Sequence, residues 1–186
     1  MVYVSIDLET SGLNPKKDEI LSIGMVVEDT ENILPIEELP RLHIYIVREE
    51  LKGNIFALDM NRDIIRALNE YNIFGMEKDG VLYLEDPFDI VCAIKDFLAT
   101  NGITDKIIVA GKNPSFDMSF LKKAFGKKLQ FSQRVLDPAI LYMNLLKDKE
   151  VPNLKECLKR AGIEKEVAHD ALEDALDVIR LLRKKY

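Results

Sequence analysis

The fold is predicted around one N-terminal strand, Val2-Tyr3-Val4-Ser5-Ile6-Asp7-Leu8-Glu9. This segment alternates in the manner of a β-strand and ends in two acids. Asp7 and Glu9 are two residues apart, so both side chains point to the same face of the strand. They also lie at its carboxyl end, where open α/β sheets bind their ligands. A strand that simply ends in charge at the protein surface is the alternative interpretation, and this pair alone does not exclude it.

The rest of the chain alternates strand-like and helix-like segments, which predicts an α/β fold. Residues 20–28 and 42–47 predict two further strands, with an antiparallel pairing to the first, and the apolar run 107–110 predicts a central buried strand. Helices are predicted over 58–71, 87–99, 114–125, 137–147, 153–161 and 170–183. Gly126 and Gly162 are placed as helix stops. No repeat or linker interrupts the pattern, so we expect one domain over residues 1–186.

The composition, 47% apolar and 31% charged residues, is ordinary for a globular protein. No run reaches the roughly 18 consecutive apolar residues of a membrane helix, and the N-terminus carries no basic and apolar leader, so we expect no membrane contact. Cys92 and Cys157 fall in apolar helical patterns and are expected to be small core residues. A reduced, cytoplasmic setting fits this cysteine usage.

The formal net charge of −6 argues against a general binder of polyanions. Positive charge is nevertheless concentrated around Asp117, at Lys112, Lys122, Lys123, Lys127, Lys128 and Arg134. These residues are interpreted either as a solvated helix face or as a track for phosphate groups. Net charge therefore does not decide the kind of partner.

Asp117 lies where an acid is unexpected for packing reasons. Asn113 and Pro114 predict the N-cap and first residue of a helix, which places Asp117 in the second turn. There it falls in the apolar stripe with Phe120 and Leu121. Because burial of an uncompensated carboxylate is costly, this position favours a bound cation or a fully hydrogen-bonded carboxylate.

The C-terminal helix contains a second acid of this kind. Asp174 lies among the apolar residues of the helix, whereas Asp177 falls on the polar arc. Asp170 and Glu173 predict the start of the helix, in the manner of a capping box. Asp174 is therefore the acid of this helix that is expected to have a functional role.

The chain has two histidines, His43 and His169. His169 immediately precedes the C-terminal helix, in a loop that is free to face the site. Imidazole titrates near neutral pH, which makes His169 a candidate proton acceptor. His43 lies in an apolar strand pattern and is interpreted as structural or surface-exposed.

Asp7, Glu9, Asp117 and Asp174 together predict a metal site. Carboxylates held close together repel one another and raise each other's pKa unless cations neutralise them. Hard divalent ions such as Mg²⁺ prefer oxygen ligands of this type. The set is therefore interpreted as a cation site that works on phosphate groups.

With these residues in place, the chain resembles the DEDDh 3′–5′ exonucleases, which include ribonuclease T, proofreading exonuclease subunits and oligoribonuclease. Three ordered motifs carry the resemblance: Asp7-Leu8-Glu9-Thr10-Ser11-Gly12-Leu13, Asn113-x-x-Phe116-Asp117-x-x-Phe120-Leu121 and His169-x-Ala171-x-x-Asp174. The resemblance implies a ribonuclease H-like fold, with a mixed five-stranded sheet flanked by helices. It also implies metal-dependent hydrolysis of phosphodiester bonds that releases 5′-mononucleotides from a single-stranded 3′ end.

The resemblance further implies a role for each site residue. Two divalent cations, Mg²⁺ or Mn²⁺, would bind the four acids, with Asp7 shared, Glu9 and Asp174 on one ion and Asp117 on the other. His169 would deprotonate the attacking water. The backbone near Thr10 and the side chain of Leu13 would hold the terminal nucleotide. Asn113 and Phe116, which precede Asp117 in the second motif, are further candidate substrate contacts.

Two other functions stay open at this point. A metal-dependent phosphatase is suggested by Asp7-x-Glu9-Thr10, although it leaves His169 and Asp174 without a role. A non-catalytic module that binds nucleic acid or protein on the same fold is the second alternative, although it has no need of all four acids. The sequence does not distinguish DNA from RNA as the substrate, nor a stand-alone chain from a homodimer or a polymerase-associated subunit.

Overall fold

The computed structural model describes residues 1–70, 76–165 and 169–186, and a six-stranded mixed sheet forms its centre. The strands are β1 (Val2–Thr10), β2 (Ile20–Asp29), β3 (Arg41–Ile46), β4 (Met76–Lys78), β5 (Val81–Leu84) and β6 (Val109–Ala110). Their order across the sheet is β4-β5-β3-β2-β1-β6. β1 pairs antiparallel with β2 and parallel with β6, so the predicted antiparallel pairing at the N-terminus is confirmed.

Helices cover both faces of the sheet, which confirms the α/β class. They are α1 (Ile55–Met60), α2 (Arg62–Glu70), α3 (Pro87–Thr100), α4 (Pro114–Phe125), α5 (Ala139–Tyr142), α6 (Leu154–Arg160) and α7 (Ala171–Arg183). One hydrophobic core joins the sheet to α3 and α4, and a second joins it to α6 and α7. β1 is buried on both faces as a result, and its carboxyl end lies between α4 and α7.

The expectation of a five-stranded sheet is wrong, because the sheet has six named strands. The additional pairing arises from a hairpin in which β4 and β5 are joined across Asp79 and Gly80, both with positive φ. Such a two-residue turn matches the natural twist of a hairpin. β5 then pairs parallel with the edge of β3. On the other side β6 is the last named strand rather than a central one, and isolated bridges join Ile107 to Phe131 and Ala110 to Leu136.

Two helix predictions are also wrong in their bounds. The helix predicted over 58–71 is divided into α1 and α2, and residue 71 lies outside the described residues. Asn54 caps Phe56 N and so begins α1 early, while the Asn61 amide donates to the carbonyl oxygens of Ala57 and Thr10 where α1 ends.

The helix predicted over 137–147 is reduced to the single turn of α5. Asn144 closes a separate turn, since its N–H donates to Asp148 and its side chain accepts from Leu146 N. Arg160 of α6 binds the same Asp148 carboxylate and holds the turn in place. Side-chain hydrogen bonds to the backbone thus displace the helix here.

Among the described residues, none of the helices combines the length and the apolar character needed to cross a membrane. Cys157 is buried, as expected for a core residue, whereas Cys92 is only half-buried, and both are unpaired thiols. Gly126 and Gly162 follow α4 and α6 with positive φ, which confirms their placement as helix stops.

Candidate active site

Asp7, Glu9 and Asp174 form a cluster of carboxylates at the carboxyl end of β1. One carboxylate oxygen from each of the three lies within 4.8 Å of the other two. Gly24, the β2 partner of Asp7, permits this approach, because a Cβ atom there would overlap the backbone of Ala171 at the start of α7. The strand and the helix that the sequence singled out therefore meet at their acids.

Asp117 reaches the same end of β1 from α4, on the opposite side of the sheet. Its carboxylate accepts a hydrogen bond from the backbone N–H of Leu8 at 3.1 Å, and only 3% of the residue is exposed. Burial raises the pKa of Asp7 well above its usual range, and the charges of Asp117, Asp174 and Glu9 raise it further. The four predicted acids therefore act on one another electrostatically.

The acids in this cluster are stabilised as neutral groups when no cation is near. Burial raises the pKa of Glu9 to about 7 and that of Asp174 to about 7, and in both cases neighbouring carboxylates add to the shift. Burial likewise raises the pKa of Asp117 to about 8. Asp174 Oδ1 is buried, and none of the described residues provides it with a hydrogen-bond partner. An unpartnered acceptor among carboxylates with raised pKa values fits a site for hard divalent cations.

These shifts give the metal-free protein a characteristic pH dependence. Because the folded pKa values of Glu9, Asp174 and Asp117 lie above their ordinary values, the folded state binds more protons between about pH 4 and 8, and the free energy of unfolding falls as pH rises through that window. In EDTA we expect a melting temperature that is lower at pH 8 than at pH 5.5 by roughly 5 °C or more. Mg²⁺ should remove most of this difference.

The measurement is thermal unfolding at both pH values, in EDTA and in Mg²⁺. Asp174→Asn is the matched control, since it removes one of the titrating groups and should weaken the pH dependence in EDTA. A melting temperature in EDTA that is constant or rises from pH 5.5 to 8 would contradict the electrostatic description.

His169 lies immediately before α7, where the structure places it at the surface. It adopts the left-handed backbone conformation, with φ of +48°. The next residue, Asp170, is the N-cap of α7 and accepts hydrogen bonds from the N–H groups of Leu172 and Glu173. The predicted helix start is confirmed, but Glu173 binds Lys165 at 2.9 Å instead of completing a capping box.

The assignment of Asp177 to the polar arc of the last helix does not make it a surface residue. Asp177 is fully buried and binds Lys165 at 3.1 Å and Arg180 at 2.6 Å. The side chain of Lys165, from outside the helix, covers this part of α7, a contact that helix periodicity does not reveal. Asp174 remains distinct, because its neighbours are carboxylates whereas Asp177 is paired with cations.

Asn113 also differs from its prediction as an N-cap. It adopts a left-handed conformation with φ of +57° and makes no side-chain capping bond. Its backbone N–H donates to Asp137 Oδ2 at 3.0 Å, so the turn into α4 is held by Asp137. Its assignment as a substrate contact stays a prediction, and it does not line the cavity beside the acids.

A cavity of about 790 Å³ lies next to Glu9. Three predicted substrate contacts, Thr10, Leu13 and Phe116, line it. Thr10 is buried with its hydroxyl bound to Gly12 O at 2.8 Å, whereas Leu13 is 84% exposed. The cavity therefore has a buried, hydrogen-bonded polar residue, Thr10, and an exposed apolar residue, Leu13, in its lining.

Three residues that the sequence did not single out complete this cavity: Phe56, Met60 and Asn61. Phe56 is 74% exposed, which is unusual for a phenylalanine, and the signal that places it at a helix start is the N-cap Asn54, two residues earlier. Asn61 donates to Thr10 O at 3.3 Å, and a hydrogen bond from its side chain opposes the raised pKa of Glu9. Asn61 thus joins the cavity to the carboxylates.

The six basic residues around Asp117 do not form a single feature. Five of them are exposed, at Lys122, Lys123, Lys127, Lys128 and Arg134, and Lys112 is half-buried. Lys123 lines a second cavity with Lys16, Lys17 and Arg48. The choice between a solvated face and a phosphate track stays a prediction.

The sequence is similar to known exonucleases. A family model described as an exonuclease matches residues 4–62, which include Asp7, Glu9 and every residue that lines the cavity except Phe116. Ribonuclease T of Buchnera aphidicola is 27% identical over 187 residues, which cover 97% of this chain and 81% of that protein. The 3′–5′ DNA exonuclease Cap18 of Escherichia coli is 28% identical over 194 residues, which cover 98% of this chain and 92% of that protein.

Solved structures show the same fold. Exonuclease I of E. coli, in complex with a dT13 oligonucleotide, matches 99% of this chain with a TM-score of 0.63 and 16% identity, and this chain spans 40% of that one. Pop2p of S. pombe, in an Mg²⁺ and Mn²⁺ bound form, matches 97% of this chain with a TM-score of 0.58 and 16% identity, and 81% of that chain is covered. At these identities the similarity establishes the fold.

Proposed function

We propose that the chain is a 3′–5′ exonuclease of the DEDD family, and that it uses divalent cations to release 5′-mononucleotides from single-stranded nucleic acid. The observation that carries the proposal is the convergence of Asp7, Glu9 and Asp174, with Asp117 beside them, at the mouth of an apolar-rimmed cavity. Glu9 belongs to both the acid cluster and the cavity. A phosphodiester at the acids would thus have its terminal nucleoside in the cavity.

The acids are the residues that would hold the cations. Asp7, whose pKa is raised by the charges of the other three acids, would hold two divalent cations together with Glu9, Asp117 and Asp174. Bound divalent cations supply charge neutralisation at the phosphate and lower the pKa of a coordinated water. The metal-bound form of Pop2p, which has the same fold, supports Mg²⁺ or Mn²⁺ as the ions.

His169 is proposed to accept the proton of the attacking water on its imidazole. Its exposure leaves the ring accessible to solvent at the end of α7 that also carries Asp174. The left-handed backbone at His169 is a sparsely populated conformation for a residue with a side chain, and such conformations cluster at active sites. In this role His169 would supply a proton acceptor at the end of α7 that carries Asp174 without adding negative charge.

The cavity is proposed to hold the terminal nucleoside. Leu13, Phe56, Met60 and Phe116 offer apolar surface to a base, and stacking on an aromatic ring stabilises a bound base by about 1–3 kcal/mol. Thr10 and Asn61 offer backbone and amide groups near Glu9 for the sugar. A base can enter such a cavity only when it is unpaired, which favours single-stranded substrates.

Replacement of Phe56 by alanine tests this assignment. We expect kcat/KM on a single-stranded oligonucleotide to fall by about 10-fold, mainly through KM, because about 1–3 kcal/mol of stacking is lost. Leu145, which is 77% exposed and does not line the cavity, provides the control variant Leu145→Ala. An unchanged KM in Phe56→Ala, or an equal effect of both variants, would remove Phe56 from the nucleotide site.

The substrate of this chain is either RNA or DNA. One relative is named a ribonuclease and the other a DNA exonuclease, so their names do not distinguish RNA from DNA for this chain. Association into a homodimer or with a polymerase stays a prediction, as does the cytoplasmic location.

The experiment that tests the function is a time course with 5′-labelled single-stranded DNA and RNA of several lengths, in Mg²⁺ and in EDTA. We expect a ladder that shortens stepwise from the 3′ end and that EDTA abolishes. Early release of the labelled 5′ nucleotide, or cleavage of a circular substrate, would contradict 3′–5′ polarity. Release of inorganic phosphate from a terminal phosphate, without shortening, would instead support a phosphatase.

A further inference from the structure

The first turn of α7 lies against the sheet at one close contact. Gly24 on β2 is flanked in the sheet register by Asp7 on β1 and His43 on β3. A Cβ atom at Gly24 would overlap the backbone of Ala171 and Leu172. The beginning of α7 therefore lies directly over the row of residues that contains Asp7 and His43.

His43 contacts α7 beside this point. It is 5% exposed, and its Nε2 lies 3.0 Å from Ser22 Oγ and 3.9 Å from Asp170 Oδ2. Asp170 uses its other carboxylate oxygen, Oδ1, to accept from Leu172 N and Glu173 N. The carboxylate that caps α7 thus also packs against His43 of β3.

His43 and Asp170 are in packing contact, since 3.9 Å exceeds hydrogen-bond distance, and the hydrogen bond of Nε2 with Ser22 holds the imidazole in place for this contact. Burial lowers the pKa of His43, although the charge of Asp170 opposes the shift, so the imidazole is neutral at pH 7. The ring of Tyr45 meets the imidazole edge-on, with ring centroids 4.9 Å apart, and restricts its orientation. A neutral side chain of similar reach can therefore replace this histidine.

Asp170 follows His169 directly in the chain. A residue with a side chain stays in the left-handed conformation only when its surroundings hold it there. The capping bonds and the His43 contact fix Asp170 on the C-terminal side of His169, and Asp174 lies one helical turn further on. The position of both functional residues thus depends on how Asp170 is held.

We propose that His43 is a positioning residue for the exonuclease reaction, an inference that rests on the proposed function. Through Asp170 it fixes the first turn of α7, and with it the backbone that carries His169 and Asp174. His43 itself does not belong to the carboxylate cluster. Its role corresponds to that of residues that orient metal ligands without contacting the metal, and the loss of such residues lowers activity by about 10–100-fold.

The test compares His43→Gln, which keeps a polar group near the position of Nε2, with His43→Leu, which does not. In His43→Leu we expect kcat on a labelled single-stranded oligonucleotide in Mg²⁺ to fall about 10–100-fold, with KM changed less than about 3-fold. His43→Gln should recover most of the loss. Amide hydrogen exchange at Leu172 and Glu173 should accelerate in His43→Leu alone.

The control is the pair formed by Arg183 and Glu28, which joins the other end of α7 to β2 with an Nε to Oε2 distance of 2.7 Å. The double variant Glu28→Gln with Arg183→Met should lower the melting temperature without a change in kcat. Should His43→Leu not fold, Ser22→Ala removes the hydrogen bond to the imidazole with a smaller change in volume, and the same outcomes apply.

Equal losses in His43→Gln and His43→Leu, or unchanged exchange at Leu172 and Glu173 in His43→Leu, would overturn the positioning role. Unchanged kcat in His43→Leu would overturn it as well. Absence of exonuclease activity in the unmodified protein would contradict the proposed function instead, and the exchange data would still decide whether His43 anchors α7.

Discussion

Replacement of Asp7 by asparagine is expected to reduce exonuclease turnover by roughly 10⁴-fold, the scale on which a member of a catalytic unit contributes. Asp7 is half-buried and is the acid on which the charges of all three other acids act, so we expect no neighbouring carboxylate to take its place. The same substitution removes a carboxylate whose charged form is disfavoured by desolvation and by its acidic neighbours, and the metal-free protein should therefore melt at a higher temperature. The rise in melting temperature on addition of Mg²⁺ should disappear.

Steady-state digestion and thermal unfolding with and without Mg²⁺ measure both effects. Glu173→Gln is the matched control, since Glu173 precedes Asp174 in the same helix but binds Lys165. It should retain turnover and the Mg²⁺-dependent shift. An Asp7→Asn protein that keeps either the activity or the shift would exclude Asp7 from the metal site.

Replacement of His169 by alanine is expected to lower kcat by about 10²–10⁴-fold, the usual contribution of a general base. The acids are untouched by this change, so the Mg²⁺-dependent rise in melting temperature should persist. Added imidazole should restore part of the lost turnover, because it can accept the same proton from solution. Digestion assays with and without imidazole, at fixed Mg²⁺, make the measurement.

His43→Gln serves as the comparison histidine variant, because it keeps a polar group at its site. Near-normal turnover in His169→Ala would remove this residue from the mechanism. A simultaneous loss of the Mg²⁺-dependent shift would instead assign His169 to cation binding.

Much of the fold and of the acid cluster could be predicted from the spacing of apolar residues in helices and strands. The same spacing identifies acidic residues at positions where an apolar side chain is expected. Asp117 and Asp174 stand out as acids on apolar helix faces, and both are buried beside β1. The alternation of β1 places Asp7 and Glu9 together, as the structure has them. Local patterns of this kind depend only on residues that are close in sequence.

What the sequence did not reveal depends on contacts between distant segments. Asp177 is buried and paired with Lys165, which lies outside α7, and His43 of β3 packs 3.9 Å from Asp170. The cavity residues Phe56 and Asn61 acquire their role only when α1 folds next to Thr10. Side-chain hydrogen bonds to the backbone also divided or shortened two of the predicted helices, which helix propensity alone does not anticipate.

The most direct measurement on the central claim is a crystal structure of the protein soaked with Mn²⁺, with data collected at the manganese absorption edge. We expect two anomalous peaks among Asp7, Glu9, Asp117 and Asp174, both absent from crystals of Asp7→Asn. Peaks elsewhere, or no peak at these carboxylates at Mn²⁺ concentrations that support digestion, would contradict the assignment of the four acids as the cation site.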